Sequence, residues 1–412
     1  MAAPAETYGR PKMGHMELVA IIAAVMALNA LAIDMMLPAL GIIGDELGAA
    51  EGNDRQRIIV YYVLANGVGQ LIFGPLVDRF GRRPVLIVSL IGYVVGSALS
   101  IFASTFSILL AARAFQGIAT AAARVSAIAI VRDQCSGRKM AQVMSLAITI
   151  FMAAPILAPS FGQLIMFAAP WRGIFVALLL YGLLLAMWIT IRVPETMAAE
   201  DRKTLRPGPI INAYFEFIRT RQSIGYTVAG AMCFGALFGY ISTSEQIFLE
   251  TFKIGGGFGP AFAVVAGALG AATLTNARIV HRYGMRRITH TALLVFIITN
   301  LLHLSITSTV GETFLLFMIF TSVSFFCLGF IGPNASALAM DPMGHNAGPA
   351  AAANGFFGTT GAGYLGGLIG SYYDGTTMPI IFGFCILGVC AFAVILWTEK
   401  GRLFHAVSED PQ

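Results

Sequence analysis

The sequence predicts an all-α integral membrane protein with twelve membrane-spanning helices in two pseudo-symmetric six-helix bundles. Three observations predict it: the composition, the number of long apolar runs, and the placement of Lys and Arg between them. Of the 412 residues, 57% are apolar and 11% charged, and mean hydropathy is +0.78. A soluble domain carries about 25% charged residues. A chain this apolar lacks the polar surface to face water, so lipid is its expected solvent.

A helix crosses the hydrocarbon with about 20 apolar residues. Such runs occupy 18–41, 58–77, 85–104, 106–131, 141–168 and 172–193, then 223–249, 259–280, 288–308, 313–338, 347–370 and 378–398. The first run follows Arg10 and Lys12 but is too long for a signal core and has no small-residue cleavage site, so it reads as a retained helix. The polar stretch between spans 6 and 7 divides the chain into an N-terminal bundle (1–195), a cytoplasmic linker (196–222) and a C-terminal bundle (223–412). The halves share a repeat. A shift of 203 positions puts Gly67 on Gly270, Val77 on Val280, Arg79 on Arg282, Gly81 on Gly284 and Arg83 on Arg286.

Charge placement tests the count independently, because inner loops accumulate Lys and Arg. With the N-terminus inside, 20 of the 26 basic residues fall on inner segments and only Arg55, Arg57, Arg172 and Lys253 on outer ones; Arg113 and Arg124 lie within span 4. The net charge of +5 is therefore spread along the two faces of a bilayer. No basic run interleaved with aromatics suggests nucleic-acid binding. The five cysteines show neither paired nor metal-like spacing, no His/Asp/Glu cluster has ligand spacing, and no phosphate-binding loop is present. These absences argue against an enzyme and against ATP as energy source. They leave an ion gradient, with no cofactor expected.

Gly74-Pro75-Leu76-Val77-Asp78-Arg79-Phe80-Gly81-Arg82-Arg83 joins spans 2 and 3 on the inner side. It resembles the signature loop of the major facilitator superfamily, which implies the major facilitator fold. The resemblance also implies a conformational gate built from Gly74, Asp78, Arg79, Gly81, Arg82 and Asp133, with Asp78 against a helix terminus of the other half and Arg82 paired with Asp133. A solvated inside-positive loop is the alternative. In the second half His281 stands at the Asp position, a departure from the pattern.

Span 5 contains Pro155, Pro159 and Gly162. Two prolines four apart remove backbone donors and bend a helix. The stretch resembles the superfamily's exporter-associated motif, with Ala158 where a Gly usually precedes the second Pro; the alternative is that membrane helices simply tolerate Pro and Gly.

In span 4, Arg113, Gln116, Gly117, Thr120 and Arg124 return to one helical face. Two arginines on one stripe cannot face lipid cheaply, so the stripe is expected to line an aqueous cavity. Arg124 has the alternative of snorkelling to the inner surface. Arg113 with Gln116 and Gly117 resembles the superfamily's span-4 motif, associated with proton coupling. Asp34 lies six residues before Leu40, about 9 Å below the outer end of its run, and Arg113 about 10 Å below the outer end of span 4. Equal depth makes them candidate partners for proton coupling, or a merely structural pair.

The Asn29–Leu40 stretch, Val131-Arg132-Asp133, the span-5 prolines, the segment 234–242 and the segment 333–340 together resemble the Bcr/CflA subfamily of bacterial drug:proton antiporters. That resemblance implies a monomeric, multi-pass inner-membrane protein with both termini cytoplasmic. Its function would be to export small amphipathic drug-like compounds against protons; a proton-coupled exporter or importer of an endogenous metabolite is the alternative. The expected cavity lining comprises Asn29, Tyr61, Tyr62, Gln116, Thr120, Arg124, Phe234, Phe238, Tyr240, Asn354, Phe357 and Thr360, although each aromatic has packing as its alternative role. Glu245 departs from the uncharged residue usual at its place; facing an outer vestibule, it would favour cationic or amine substrates.

Overall fold

The computed structural model describes residues 14–404, apart from 50, 51, 136, 199, 201 and 203–206. The expectations placed on Arg10, Lys12, Lys203 and Arg206 lie outside the described residues. The long apolar runs are helical, because a backbone N–H or C=O in hydrocarbon has no water to bond and must be satisfied within the segment. The first unit contains α1 (His15–Asp34), α2 (Leu40–Leu47), most of α3 (Arg57–Phe80), α4 (Arg82–Ile101), α5 (Phe106–Gln134), α6 (Gly137–Ala168) and α7 (Arg172–Arg192). The second contains most of α8 (Pro207–Arg219), α9 (Arg221–Glu245), α10 (Phe258–Tyr283), α11 (Met285–Val310), α12 (Phe314–Met340), α13 (Ala347–Ser371) and α14 (Met378–Thr398). Residues 49–60 group with the second unit, and the division falls at Ile210 and Ile211.

Among the described residues, 11 helical segments are long and apolar enough to cross a bilayer. One of them, Phe314–Ser371, is 58 residues long. At 1.5 Å per residue that is about 87 Å, far too long for one crossing. Met343, at φ −103° and ψ 18°, interrupts it and separates α12 from α13, which gives twelve crossings. Large apolar residues stand exposed in rows along the helices, such as Val88, Ile91, Val95 and Leu99 on α4 and Leu180, Leu183, Leu184, Met187 and Ile191 on α7. Such rows are the reverse of a soluble surface and are the faces that lipid covers.

The internal repeat reappears in the backbone. Gly81 joins α3 to α4 at φ +99° and Gly284 joins α10 to α11 at φ +77°, so the positions that the 203-residue shift equates make the same left-handed turn. Thr105 and Thr313 cap α5 and α12 by accepting from the backbone N–H of Ile108 and Leu316, at 3.3 Å each. In the first unit α4 packs on α5 and α7, and α1 on α6; in the second α13 and α14 pack on α9, and α10 and α11 on α12.

Two elements depart from the sequence expectation. The first apolar run is not one helix: α1 stops at Asp34, a 3-10 turn covers Leu37–Ala39, and α2 carries on to Leu47. Pro38 lies inside that turn, where its missing N–H and fixed φ favour a break. The expected linker 196–222 contains α8. Ala213 and Phe217 are buried, and Phe217 packs with Met343, Ala350 and Ala353 across the junction of α12 and α13, with Tyr214, Met340 and Phe357 beside them. Glu216 of α8 accepts from His345 Nε2 at 2.7 Å and Asn346 Nδ2 at 2.8 Å, and these bonds hold its carboxyl below the usual range.

Candidate functional site

In the first unit, α1, α3 and α5 bring their polar residues onto one hydrogen-bonded ladder. The Tyr62 hydroxyl donates to Asn29 Oδ1 at 2.8 Å and lies 2.9 Å from Thr120 Oγ1. Asn66 Nδ2 donates to Thr120 Oγ1 and to the Gly117 carbonyl, both at 3.1 Å, and Gln70 donates to Asn66 Oδ1 at 3.2 Å. Gln116 donates to Ser97 Oγ at 2.8 Å and accepts from Arg113. Asn66 and Gln70 carry no motif and escape sequence reasoning. Their spacing of four, which stacks two amides on one face of α3, is the signal that could have found them.

Arg113 and Asp34 are both buried, at 0% and 4% exposure. They do not form an ion pair: among the described residues no cation lies within 4.0 Å of the Asp34 carboxyl, which also has no hydrogen bond there. The guanidinium stands over the Tyr62 ring, 4.4 Å from its centroid, and donates to the Ala32 carbonyl at 2.8 Å. A helix leaves its last four carbonyls without intrahelical partners. The break after Asp34 frees the Ala32 carbonyl, and Arg113 takes it, a favourable place for a cation at a helix C-terminus. Arg113 is thus bound entirely by neutral groups, two residues along the chain from the acid at its depth.

At the inner ends of α3, α4 and α5, Arg82 is the centre of a second cluster. Its guanidinium lies 3.3 Å from Asp78 and 2.8 Å from Asp133, and donates to the Val77 carbonyl at 3.2 Å. Glu195, just after α7, accepts from the backbone N–H groups of Arg82 (3.1 Å) and Arg83 (3.2 Å), so it caps α4 from another segment. Val77, Val85, Ala122 and Ala129 pack beneath the cluster. Arg79 is exposed outside it, and Gly74 is half-buried.

A sequence profile described as Major Facilitator Superfamily matches residues 22–371. The chain belongs to the Major Facilitator Superfamily. An uncharacterised MFS-type transporter of Bacillus subtilis, YdgK, is 27% identical over 93% of this chain and 96% of its own length. A bicyclomycin resistance protein homolog of Haemophilus influenzae is 27% identical over 88% of this chain and 90% of its own, and supports the Bcr/CflA resemblance. The multidrug resistance protein MdtL of Escherichia coli is 30% identical over 55% of this chain and 57% of its own. The human organic anion transporter MFSD10 has the same fold, with a TM-score of 0.71 at 17% identity over 94% of this chain and 100% of its own.

In this superfamily member the signature loop is therefore an ion-paired cluster around Arg82, with Glu195 as a member the motif does not contain. In the second unit Arg286, the repeat position of Arg83, pairs at 3.0 Å with Glu399, which follows α14 as Glu195 follows α7. Substituting Arg82 by Gln leaves Asp78 and Asp133 without their shared cation; breaking a buried pair in this way costs about 3–5 kcal/mol. Arg82→Gln is expected to lower the initial transport rate at least about tenfold while ligand affinity in detergent stays within about twofold. An unchanged rate would reduce the cluster to inside-positive charge.

The superfamily's other expected site residues are placed as follows. Tyr61 is 44% exposed, whereas Tyr62 is fully buried in the ladder. Gln116 and Thr120 are buried as bonding members of that ladder, so they brace it and do not form an open lining. Arg124 is exposed. Tyr240 is corrected: it is fully buried among Phe248, Phe262 and Phe325, with ring centroids 6.2, 5.5 and 4.8 Å away, and is packing. Phe234, Phe238, Phe357 and Thr360 are half-buried, and Asn354 accepts from Thr227 at 2.8 Å and donates to Ser336 at 3.0 Å. Glu245 is also corrected. It is buried at the end of α9, where a π-helical turn (Gln246–Thr251) begins, and lies 3.5 Å from Arg55, which it shares with Glu250, so it stands in an ion-paired group and not open in a vestibule. The α6 helix runs unbroken through Pro155 and Pro159, and Gly162 lies against the backbone at Met35.

Proposed function

We propose that this transporter exports amphipathic antibiotic-like compounds across the bacterial inner membrane in exchange for protons, as a monomeric carrier with both termini cytoplasmic and no catalytic step. The observation that carries the reading is Asp34: a carboxyl buried at a helix break inside a membrane span, level with a guanidinium that neutral groups hold. A buried carboxylate needs a compensating charge. The choice lies between a proton and Arg113, and alternation between the two is what proton exchange requires. The Tyr62 ladder keeps α1, α3 and α5 in register while that choice changes. The names of the bicyclomycin- and multidrug-resistance relatives support a drug-like cargo.

The test is accumulation in an exporter-deleted bacterial host. Cells expressing the protein are expected to accumulate less of at least one amphipathic antibiotic, and a protonophore to remove the difference. Greater accumulation of every responsive compound would instead favour the import of a metabolite-like substrate.

A further inference from the structure

Among the described residues of the first unit, Arg124 is a cation without an ion-pair partner. On α5 it lies within about 40° of Arg113, Gly117 and Thr120, and roughly 140–180° from Ile108, Ala111 and Phe115, on the exposed side of the helix. It is therefore not on the face that lipid covers, and snorkelling does not explain it. Above it, this polar face is closed: Arg113, Gly117 and Thr120 are buried. At Arg124 and Ile128 the same face opens and both residues are exposed.

Among the described residues no acid lies within 4.0 Å of it. The residues three and four positions away on α5 are Thr120, Ala121, Ala127 and Ile128. Among the described carboxylates of the unit, Glu17 pairs with Arg192, Glu46 with Arg172, and Asp78 and Asp133 with Arg82, Glu195 caps the start of α4, Asp45 stands on α2 beside Glu46, and Glu200 lies beyond the end of α7. Asp34 is level with Arg113, which lies eleven residues or about 16 Å from Arg124 along α5. The polar face thus carries two guanidinium charges against at most one carboxylate. Glu245 belongs to an ion-paired group of the second unit, with Arg55 and Glu250, whereas the excess charge on this face of α5 is positive.

We propose that the exported compound carries a carboxylate, and that Arg124 is the residue that pairs with it. The inference rests on the export reading and narrows its substrate class. A planar guanidinium offers parallel N–H donors that match the two oxygens of a carboxylate. In a span, such a pair relieves the cost of an exposed cation that has no counter-charge.

The probes are rhodamine 110, which has a free carboxylate, and rhodamine 123, its methyl ester. Both are titrated against the purified full-length protein by fluorescence anisotropy. The wild type is expected to bind rhodamine 110 at least about tenfold more tightly than the ester. Arg124→Gln is expected to bind the two within about twofold of each other, and Arg124→Lys to keep part of the preference. Equal binding of the pair by the wild type, a preference for the ester, binding of neither dye, or a preference that survives in Arg124→Gln would each overturn the proposal. The wild-type arm needs no variant to fold. Antibiotic export in the cellular assay combined with any of these results would sink the carboxylate inference and leave the export reading standing.

Discussion

Asp34→Asn is expected to abolish uphill export while leaving substrate affinity within about threefold of the wild type. Asn keeps the shape of the side chain and loses the ability to bind and release a proton, so it fixes the position in a neutral form. The Asp34 side chain has no hydrogen bond or ion pair among the described residues, so this substitution breaks no bonded network. The ladder of Asn29, Tyr62, Thr120 and Asn66 does not include it either. A loss of export would accordingly report on proton exchange and not on collapse of the site. Asp34→Glu, which retains a titratable carboxyl one methylene further out, is expected to keep partial activity. Two measurements decide: substrate-induced proton release from purified protein, and uphill transport in inverted vesicles. Asn at this position with both signals intact would move the proton carrier elsewhere.

A methyl group at Gly162 is expected to have the largest effect on stability. The Cβ of Ala there would lie 1.9 Å from the Met35 carbonyl oxygen and 2.9 Å from its carbon. Both atoms are backbone, so no rotamer change relieves the contact, and α6 must move away from the break between α1 and α2. Overpacking in a core costs about 1–3 kcal/mol and occasionally more. A clash against fixed backbone belongs at or above the upper end. Gly162→Ala is therefore expected to lower the thermal midpoint well beyond a comparison variant, Gly267→Ala on α10, whose added Cβ meets nothing within 4 Å. Removing a helical Gly at that open position is worth up to about 1 kcal/mol in favour of the variant. Heating both proteins and measuring the surviving monodisperse fraction by fluorescence-detected size exclusion compares them directly. Equal survival would show that α6 and α1 are not in the contact described.

What the sequence made legible follows from periodicity and charge. The spans are long enough for hydropathy to find them. The face shared by Arg113, Gly117 and Thr120 follows from the helical repeat, and the Arg82–Asp133 pair from a motif with its chemistry in one loop. The rest depended on contacts remote in sequence or on elements below the length that hydropathy detects. Helix α8 has thirteen residues, and its buried stripe of Ala213 and Phe217 is outnumbered by polar and turn-forming neighbours. Arg55 meets Glu245 across 190 positions, and nothing local to either residue announces it. An aromatic residue reads the same in the sequence whether it lines a pathway or fills a core, and only the rings around Tyr240 distinguish the two. The break in the first span was signalled by Pro38, but the apolar run continues on both sides and hides it.

That break gives one carbonyl two rival claimants. Ala32 offers its oxygen to Arg113, while Met36, four residues on, has the N–H that an unbroken α-helix would direct to the same atom. Lengthening α1 by a single turn-closing bond would bring that N–H onto the oxygen beside the guanidinium, and the two donors would then divide its two lone pairs. The winding of α1 and the hold on Arg113 meet in this way at one oxygen.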